Sequence, residues 1–175
     1  MLEYKRIKKE DKEKLKQLHD EVYESLPRKD FFIPYSDEVL DMMFDNEKII
    51  AYGAYDKGRL VGAAQLYLSE MFVEEVRELL ELHGNNLADL GGSIVLSEYR
   101  QNGIMTSLST ILVQEAKKRN IEYIIITAHP ENIASNTTYV RMGAEKVVTT
   151  TFGEYWRNVY LMDLTKKKAY ILEKS

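Results

Sequence analysis

The apolar run at residues 123–127, of sequence YIIIT, constrains the fold of this chain more than any other segment. Its hydrophobic residues do not alternate with polar ones, which is the pattern of a strand buried on both faces of a sheet. Amphipathic helical patterns flank it at residues 106–119 and 133–142. Because strands that alternate with helices carry those helices on the faces of their sheet, the chain is predicted to have an α/β fold.

The remaining segments extend this prediction along the whole chain. Strand patterns occur at residues 4–8, 48–55, 59–68, 87–97, 147–151 and 159–164, and helical patterns at 9–26, 37–44 and 71–82. The predicted order is β-α-α-β-β-α-β-α-β-α-β-β, a mixed α+β arrangement with a central mixed sheet of about seven strands and helices on both faces. No repeat or Pro/Gly-rich linker divides the chain, so a single domain over residues 1–175 is expected.

The composition excludes several classes of function. The chain has no cysteine, which removes disulfides, thiolate metal sites and a cysteine nucleophile. A net charge of −4 and a pI near 5.5 lack the basic footprint of a nucleic-acid-binding protein. No pair of histidines has metal-ligand spacing, so no metal is expected. The lysine run at 166–168 is interpreted as a solvated tail.

The location of the protein is predicted from what the sequence lacks. No apolar run approaches the ~20 residues that cross a bilayer. The charged N-terminal segment has no hydrophobic region of the kind found in signal peptides. These features predict a cytoplasmic protein with no membrane partner, and they leave open whether the chain forms a homodimer.

Residues 95–106 combine the end of a buried strand, a turn and the start of a long helix. The first N–H groups of a helix have no partners within it and lie at the positive end of its dipole, so they suit phosphate oxygens. Gly103 lets the backbone approach such a ligand, and Arg100 adds a positive charge. The string RLVGAA at 59–64 fits an Arg-x-x-Gly-x-Gly/Ala pattern better, but it lies within a hairpin strand and no helix follows it.

Two motifs resemble the signatures of the GNAT superfamily of acetyl-CoA-dependent N-acetyltransferases. Residues 95–104, V-x-x-E-Y-R-x-x-G-I, are similar to that family's coenzyme-A loop, and residues 132–143, N-x-x-S-x-x-x-Y-x-x-x-G, to its second signature. The two motifs occur in the family's order and cover about fifty residues. The resemblance implies the GNAT fold, acetyl-CoA as cofactor and transfer of an acetyl group to an amine.

The resemblance also implies where the coenzyme binds. Its diphosphate would contact the N–H groups of residues 101–106, and its pantetheine arm would lie between the strands near Val95 and Ile126, which separate in this family. A backbone N–H at Val95 or Leu96 would support the developing oxyanion. The implied coenzyme-binding residues are Ile94, Val95, Leu96, Arg100, Gln101, Asn102, Gly103, Ile104, Met105, Thr106, Asn132, Ser135 and Tyr139.

Tyr139 is the predicted general acid, since a phenol can protonate a leaving thiolate when the site assists it. The alternative is that Tyr139 only packs on one face of its helix. His129 is a candidate base, because histidine titrates near neutral pH. Its alternatives are a loop histidine without a catalytic role and a water relay with no dedicated side chain. Glu131 and Glu98 are interpreted as solvated charges.

Three positions depart from the family pattern. Met105 stands where Gly or Ala is usual, and Ala144 stands where an aromatic residue is common. Gly91 and Gly92 occupy strand positions where many members carry a carboxylate that serves as the base. The first two departures leave the predicted fold intact, whereas the third leaves the identity of the general base open.

The acceptor pocket is predicted to involve the loop at 28–35 and the late hairpin at 152–157. The candidate lining residues are Phe31, Phe32, Tyr35, Tyr155 and Trp156, with packing in the core as the alternative for each. A small-molecule amine or a peptide amine would suit such a pocket.

The predicted function is therefore an N-acetyltransferase that acts by direct attack of a primary amine. One alternative is a coenzyme-A-binding sensor or interaction module of the same fold without turnover, which Met105 and the missing carboxylate at residues 91–92 keep open. Another is a structural protein that uses residues 71–82 and the C-terminal strands as an oligomer face.

Overall fold

The computed structural model describes residues 1–165, which contain seven strands and five α-helices. The predicted lysine tail at 166–168 lies outside these residues. The strands are β1 (Leu2–Arg6), β2 (Ile49–Asp56), β3 (Arg59–Tyr67), β4 (Leu87–Val95), β5 (Tyr123–Ala128), β6 (Glu145–Phe152) and β7 (Tyr155–Asp163). The helices are α1 (Lys12–Ser25), α2 (Asp37–Met42), α3 (Glu74–Leu80), α4 (Ile104–Lys118) and α5 (Ile133–Arg141).

The order of these elements is the one that the sequence patterns predicted. Ser36 Oγ accepts the Val39 N–H at 3.1 Å and caps α2. The predicted helix at 71–82 is shorter, because α3 follows a 3-10 turn and ends where Glu81 takes a left-handed conformation with φ 53°. The strands of the last hairpin are longer than predicted, since the polar edge strand β6 pairs with β7 along nearly its whole length.

The strands form one sheet in the order β1-β2-β3-β4-β5-β7-β6. All neighbours pair antiparallel except β4 and β5, which pair in parallel. The parallel ladder is short, because only residues 87–89 pair with residues 123–125. Beyond this point both strands continue without pairing to each other, so the middle of the sheet opens into a fork. The separation of strands that the resemblance implied is therefore present.

A bulge at Gly92 bends β4 as it enters the fork. The register between β3 and β4 shifts here, and β4 contains one extra residue. Gly92 has φ 61°, and a methyl group at this position would lie 1.8 Å from Gln65 Oε1 and 2.7 Å from Tyr67 Oη. Only glycine meets both requirements. Gly92, one of the two glycines that the sequence suggested as the position of a lost base, thus has a structural role in shaping the strand.

Apolar side chains cover both faces of the sheet. On β5, Ile124 and Ile126 lie in the main hydrophobic cluster, whereas Ile125 packs in a second cluster with Val73 and Val76. This alternation confirms that the apolar run at residues 123–127 is a strand buried on both faces. Among residues 1–165, no helix combines the length and the apolar character needed to cross a membrane.

Candidate active site

A cavity of about 990 Å³ lies where β4 and β5 separate. The unpaired end of β4 and the end of β5 form two of its sides. The first turn of α4, one side of α5 and the loop at residues 26–35 form the others. One cavity thus brings together three segments that are far apart in the sequence. They are the coenzyme-A loop, the second motif and the aromatic loop at residues 26–35.

The N-terminus of α4 presents unpaired backbone N–H groups to this cavity. The first hydrogen bond within the helix is donated by the Ser107 N–H to the Gly103 carbonyl at 2.9 Å. The N–H groups of Ile104, Met105 and Thr106 precede that bond, so they need partners from outside the helix. All three residues line the cavity. No acidic residue lies in this first turn, which leaves the positive end of the helix dipole uncompensated.

Gly103 and Gln101 shape the turn before α4. Gly103 has φ 72°, and nothing lies within 4 Å of the position that a side chain would occupy. Gln101 also takes a left-handed conformation, with φ 65°. Both residues line the cavity, and the open space above Gly103 lets a ligand approach the backbone.

Arg100 and Asn102 take different parts in the same turn. Arg100 lines the cavity, and its Nε lies 3.4 Å from the Val95 carbonyl, which holds the guanidinium beside the strand end. Asn102 is not among the lining residues, and its amide donates to the carbonyls of Tyr99 and Arg100 at 3.0 and 3.2 Å. Asn102 therefore closes the turn, whereas Arg100 faces the ligand space.

Of the two backbone N–H groups predicted to support an oxyanion, only that of Val95 faces the fork. The Leu96 N–H donates to the Val61 carbonyl at 3.0 Å, and Leu96 is buried and absent from the cavity lining. Val95 is paired with Gly62 at the neighbouring position of the same antiparallel ladder. Because successive N–H groups of a strand point to opposite sides, the Val95 N–H points away from β3 and toward the fork.

Asp89 is a site residue that sequence reasoning missed. It lies half-buried on β4 as the last residue that pairs with β5, and it lines the cavity at the base of the fork. A methyl group at Gly91 would lie 3.0 Å from Asp89 Oδ1, so the carboxylate leans along the strand toward the opening. Burial raises the pKa of Asp89 to about 7. The available signal was a single carboxylate within an otherwise apolar strand.

Tyr139 lies on α5, buried, and lines the same cavity. Its ring contacts that of Tyr160 edge-on, with centroids 5.9 Å apart. Burial and then the charge of Asp89 raise the pKa of Tyr139 to about 12, and a hydrogen bond with Ser135 partly offsets the rise. The structure thus places the predicted acid and the overlooked carboxylate within electrostatic reach of each other.

The N-terminal end of α5 is held by two asparagines. Asn132 Oδ1 accepts the Ser135 N–H at 3.3 Å, and both residues line the cavity. Asn136 Oδ1 accepts hydrogen bonds from Asn158 Nδ2 at 2.9 Å and from the Tyr160 hydroxyl at 2.6 Å. These contacts fix α5 against β7 and thereby orient Tyr139.

His129 lies in a cluster outside the cavity lining. It is buried, its Nδ1 accepts the Glu131 N–H at 3.0 Å, and its Nε2 lies 3.3 Å from Asp30 Oδ2. Phe31 and Trp156 pack against its ring, with centroids 5.0 and 5.5 Å away. The ring nitrogens are thus engaged with the chain itself, which corresponds to the alternative of a histidine with a structural role.

The predicted aromatic residues separate into two groups. Phe31, Phe32 and Tyr35 line the cavity, and the Tyr35 hydroxyl donates to the Gly92 carbonyl at the bulge. Tyr155 and Trp156 are not among the lining residues, and Trp156 is 45% exposed. Side chains alternate between the two faces of β7, so Arg157, which follows Trp156, faces the cavity. Tyr155 lies on the same face as Arg157, and its ring centroid is 5.2 Å from the Arg157 guanidinium.

Within residues 1–165, no group of His, Asp or Glu side chains is arranged to hold a metal ion. The cavity instead combines unpaired N–H groups, an arginine, a carboxylate and a phenol. The N–H groups and the arginine can bind an anionic ligand, and the carboxylate and the phenol can transfer protons.

Comparison with solved structures finds the same fold in several enzymes. Arabidopsis thaliana NAA60 in complex with acetyl-CoA has a TM-score of 0.75 and 17% identity, over 94% of this chain and 99% of that one. The PaiA N-acetyltransferase of Thermoplasma acidophilum with coenzyme A has a TM-score of 0.65 and 18% identity, over 93% and 99%. The ribosomal-protein-S18-alanine N-acetyltransferase of Escherichia coli has a TM-score of 0.67 and 13% identity, over 92% of both chains.

Comparison of sequences identifies the family. No curated protein matches this sequence significantly. The sequence model of the acetyltransferase (GNAT) family matches residues 14–144, well over half of the chain and a span that includes both motifs. The predicted resemblance and the predicted acyltransferase class are therefore confirmed, and the chain belongs to the acetyltransferase (GNAT) family.

Proposed function

We propose that the protein is an N-acetyltransferase that transfers the acetyl group of acetyl-CoA directly to a primary amine, with both substrates bound together. The observation that carries this proposal is the composition of one cavity. Unpaired N–H groups at the start of α4 lie at one side of it, and Asp89 and Tyr139 lie at the fork. The N–H groups suit a diphosphate, and the side chains of Asp89 and Tyr139 suit proton transfer at the thioester end of the coenzyme.

The residues present fit acetyl-CoA. The N–H groups of residues 104–106 and the guanidinium of Arg100 would hold the diphosphate, and the open space above Gly103 allows its close approach. The unpaired edge of β4, with the Val95 N–H directed into the fork, would hold the pantetheine arm. When bound, acetyl-CoA supplies an activated acetyl thioester.

Asp89 would act as the general base. A primary amine is protonated at neutral pH and must lose a proton before it can attack. With its pKa raised to about 7 by burial, Asp89 accepts that proton at its carboxylate far more readily than an ordinary aspartate. A carboxylate at position 89 replaces the one that the sequence showed to be missing at 91–92. The reason for the alternative without turnover is thereby weakened.

Tyr139 would act as the general acid. Because its pKa is raised to about 12, its hydroxyl holds its proton throughout the working pH range. The leaving thiolate is a weaker base than the phenolate of Tyr139, since a thiol has a pKa of roughly 8.5, so Tyr139 donates its proton as the C–S bond breaks and only with assistance from the surrounding site. A hydrogen bond with Ser135 lowers the pKa of Tyr139 and so favours release of this proton. Since the chain has no cysteine, the acetyl group cannot rest on a protein thiol, and direct transfer is the simplest route.

The test is release of free coenzyme-A thiol from acetyl-CoA in the presence of a panel of amines. We expect release with at least one amine and acetylation of that amine by mass spectrometry. Calorimetric binding of coenzyme A without thiol release across a wide panel would instead support the sensor or interaction module. The cytoplasmic location, the single domain over 1–175 and the absence of a nucleic-acid partner stay predictions from the sequence.

A further inference from the structure

Arg157 is a buried cation in the wall of the cavity. It lies on β7, is only 2% exposed, and lines the cavity near the loop that carries Phe31 and Phe32. Its Nη1 donates to the Trp156 carbonyl at 2.8 Å. Its Nη2 is buried and has no hydrogen-bond partner within residues 1–165.

A buried guanidinium nitrogen without a hydrogen-bond partner is costly, because it has lost its hydrogen bonds to water. The guanidinium lies 5.2 Å from the centroid of the Tyr155 ring, and this contact supplies no hydrogen-bond acceptor for Nη2. The carboxylate of Asp30 acts on the charge of Arg157. This carboxylate already accepts hydrogen bonds from Arg28 at 2.8 and 3.1 Å and lies 3.3 Å from His129 Nε2. No ion pair joins Arg157 to a carboxylate in the described part of the chain. Binding of an anionic group beside Arg157 would therefore be favourable.

We infer that Arg157 binds a carboxylate of the acceptor, so that the acceptor is an amine that also carries a carboxylate, as an amino acid does. This inference rests on the proposed function, because it assigns the acceptor of that same cavity. Coenzyme diphosphate has its own sites at the start of α4 and at Arg100. Arg157 lies on β7, which β5 separates from β4, and the charge of Asp30 in the loop at residues 26–35 acts on it.

The two charged groups of the cavity suit the two ends of such an acceptor. Asp89 contacts the amine, which binds in its protonated ammonium form, and Arg157 binds the carboxylate. A guanidinium binds a carboxylate through charge-assisted hydrogen bonds and fixes its orientation. The side chains of Phe31 and Phe32 supply an apolar surface for the remainder of the acceptor.

The test compares acids with the matched amines that lack only the carboxylate. Phenylalanine with phenethylamine, leucine with isopentylamine, and β-alanine with ethylamine are titrated by calorimetry into protein saturated with coenzyme A. We expect at least one acid to bind about 10-fold or more tightly than its amine, as a charge-assisted hydrogen bond of this kind provides. Phosphoethanolamine with ethanolamine tests whether a phosphate serves as the anion instead.

Arg157→Gln should abolish the preference for the acid and leave the affinity for the matched amine within about twofold. Its affinity for coenzyme A, measured in the same titration, shows that the variant is folded. Arg119→Gln is the control for net charge, because this exposed arginine lies at the far end of α4 and pairs with Glu115. It should keep the preference.

Equal binding of every acid and its amine would overturn the inference, and so would a preference that survives Arg157→Gln. A preference confined to phosphoethanolamine would also overturn it. These titrations require no turnover. Acids that bind through Arg157 without thiol release from acetyl-CoA would therefore contradict the proposed function, while showing that Arg157 binds the carboxylate of a ligand in this cavity.

Discussion

Asp89 and Tyr139 lie in one cavity, and burial raises the pKa of each. For Asp89 the pKa rises to about 7, so its carboxylate is ionised in mildly alkaline solution and ready to accept a proton. For Tyr139 the pKa rises to about 12, with a contribution from the charge of Asp89, so its hydroxyl stays protonated. Because an acid and a base need opposite protonation states at one pH, these surroundings suit the two proposed roles.

Asp89→Asn tests the role of the base. Since only ionised Asp89 accepts a proton, kcat/KM of the wild type should rise with pH through a midpoint near 7. The variant should lose this limb of the profile, and its kcat should fall about 100- to 10,000-fold. Steady-state thiol release between pH 5.5 and 9 measures both effects.

The stability of Asp89→Asn provides the control. Because the pKa of Asp89 in the folded protein exceeds its ordinary value of 3.8, the folded state holds the proton more tightly, and stability falls as pH rises from about 4 to about 7. At pH 8 the variant lacks this buried charge, so its free energy of unfolding should equal or exceed that of the wild type. An unchanged pH profile in a folded variant would exclude Asp89 as the base.

Tyr139→Phe tests the role of the acid. Loss of the hydroxyl should lower kcat about 100- to 10,000-fold, because no group then protonates the leaving thiolate. Coenzyme-A affinity should stay within about twofold, since the ring and its contact with Tyr160 are retained. Thiol release and calorimetry measure the two quantities, and full activity in the variant would remove Tyr139 from the mechanism.

At the scale of elements, the start of α4 is the feature on which coenzyme binding depends. Gly103→Asp should weaken coenzyme-A affinity at least about 10-fold, because a carboxylate placed before the free N–H groups competes with the diphosphate and repels it. Gly84→Asp is the matched control. Gly84 also has a left-handed conformation, with φ 79° and nothing within 4 Å of a Cβ, but it does not line the cavity. Calorimetry should show normal affinity for Gly84→Asp, and equal losses in both variants would contradict the assignment.

The bulge in β4 is a second feature at this scale. Gly92→Ala should lower the free energy of unfolding more than Gly143→Ala does, by about 1–3 kcal/mol, as overpacking in a core usually costs. Both glycines have positive φ, but only the methyl group at Gly92 would collide with Gln65 Oε1, at 1.8 Å. Urea unfolding followed by circular dichroism measures the difference, and equal losses would show that the bulge tolerates a side chain.

At the scale of the whole molecule, coenzyme binding should stabilise the fold, because the cavity is built from strands and helices at both ends of the chain. Acetyl-CoA at one hundred times its Kd should add about 2.7 kcal/mol to the free energy of unfolding. For a chain of this length, that corresponds to a rise in Tm of roughly 5–10 °C. Scanning calorimetry measures the shift, and an unchanged Tm at millimolar acetyl-CoA would favour the structural protein.

Much of the fold could be predicted because its signals are local. The apolar run of β5 and the strand–turn–helix at residues 95–106 each depend on neighbours in the sequence, and the structure has both. The bounds of α3 could not be predicted, since the left-handed Glu81 that ends it gives no such signal. The site was predicted less completely, because Asp89 and Arg157 appear in no motif.

Sequence alone determined the order of the elements, the family and the turn that presents free N–H groups, because helix starts and caps are set by residues a few positions apart. Only the tertiary structure decided which side chains share the cavity. Asp89, Tyr139 and Arg157 come from β4, α5 and β7, and they meet because β4 and β5 pair for three residues and then diverge. That fork arises from the sheet register and the bulge at Gly92, which are contacts between distant segments.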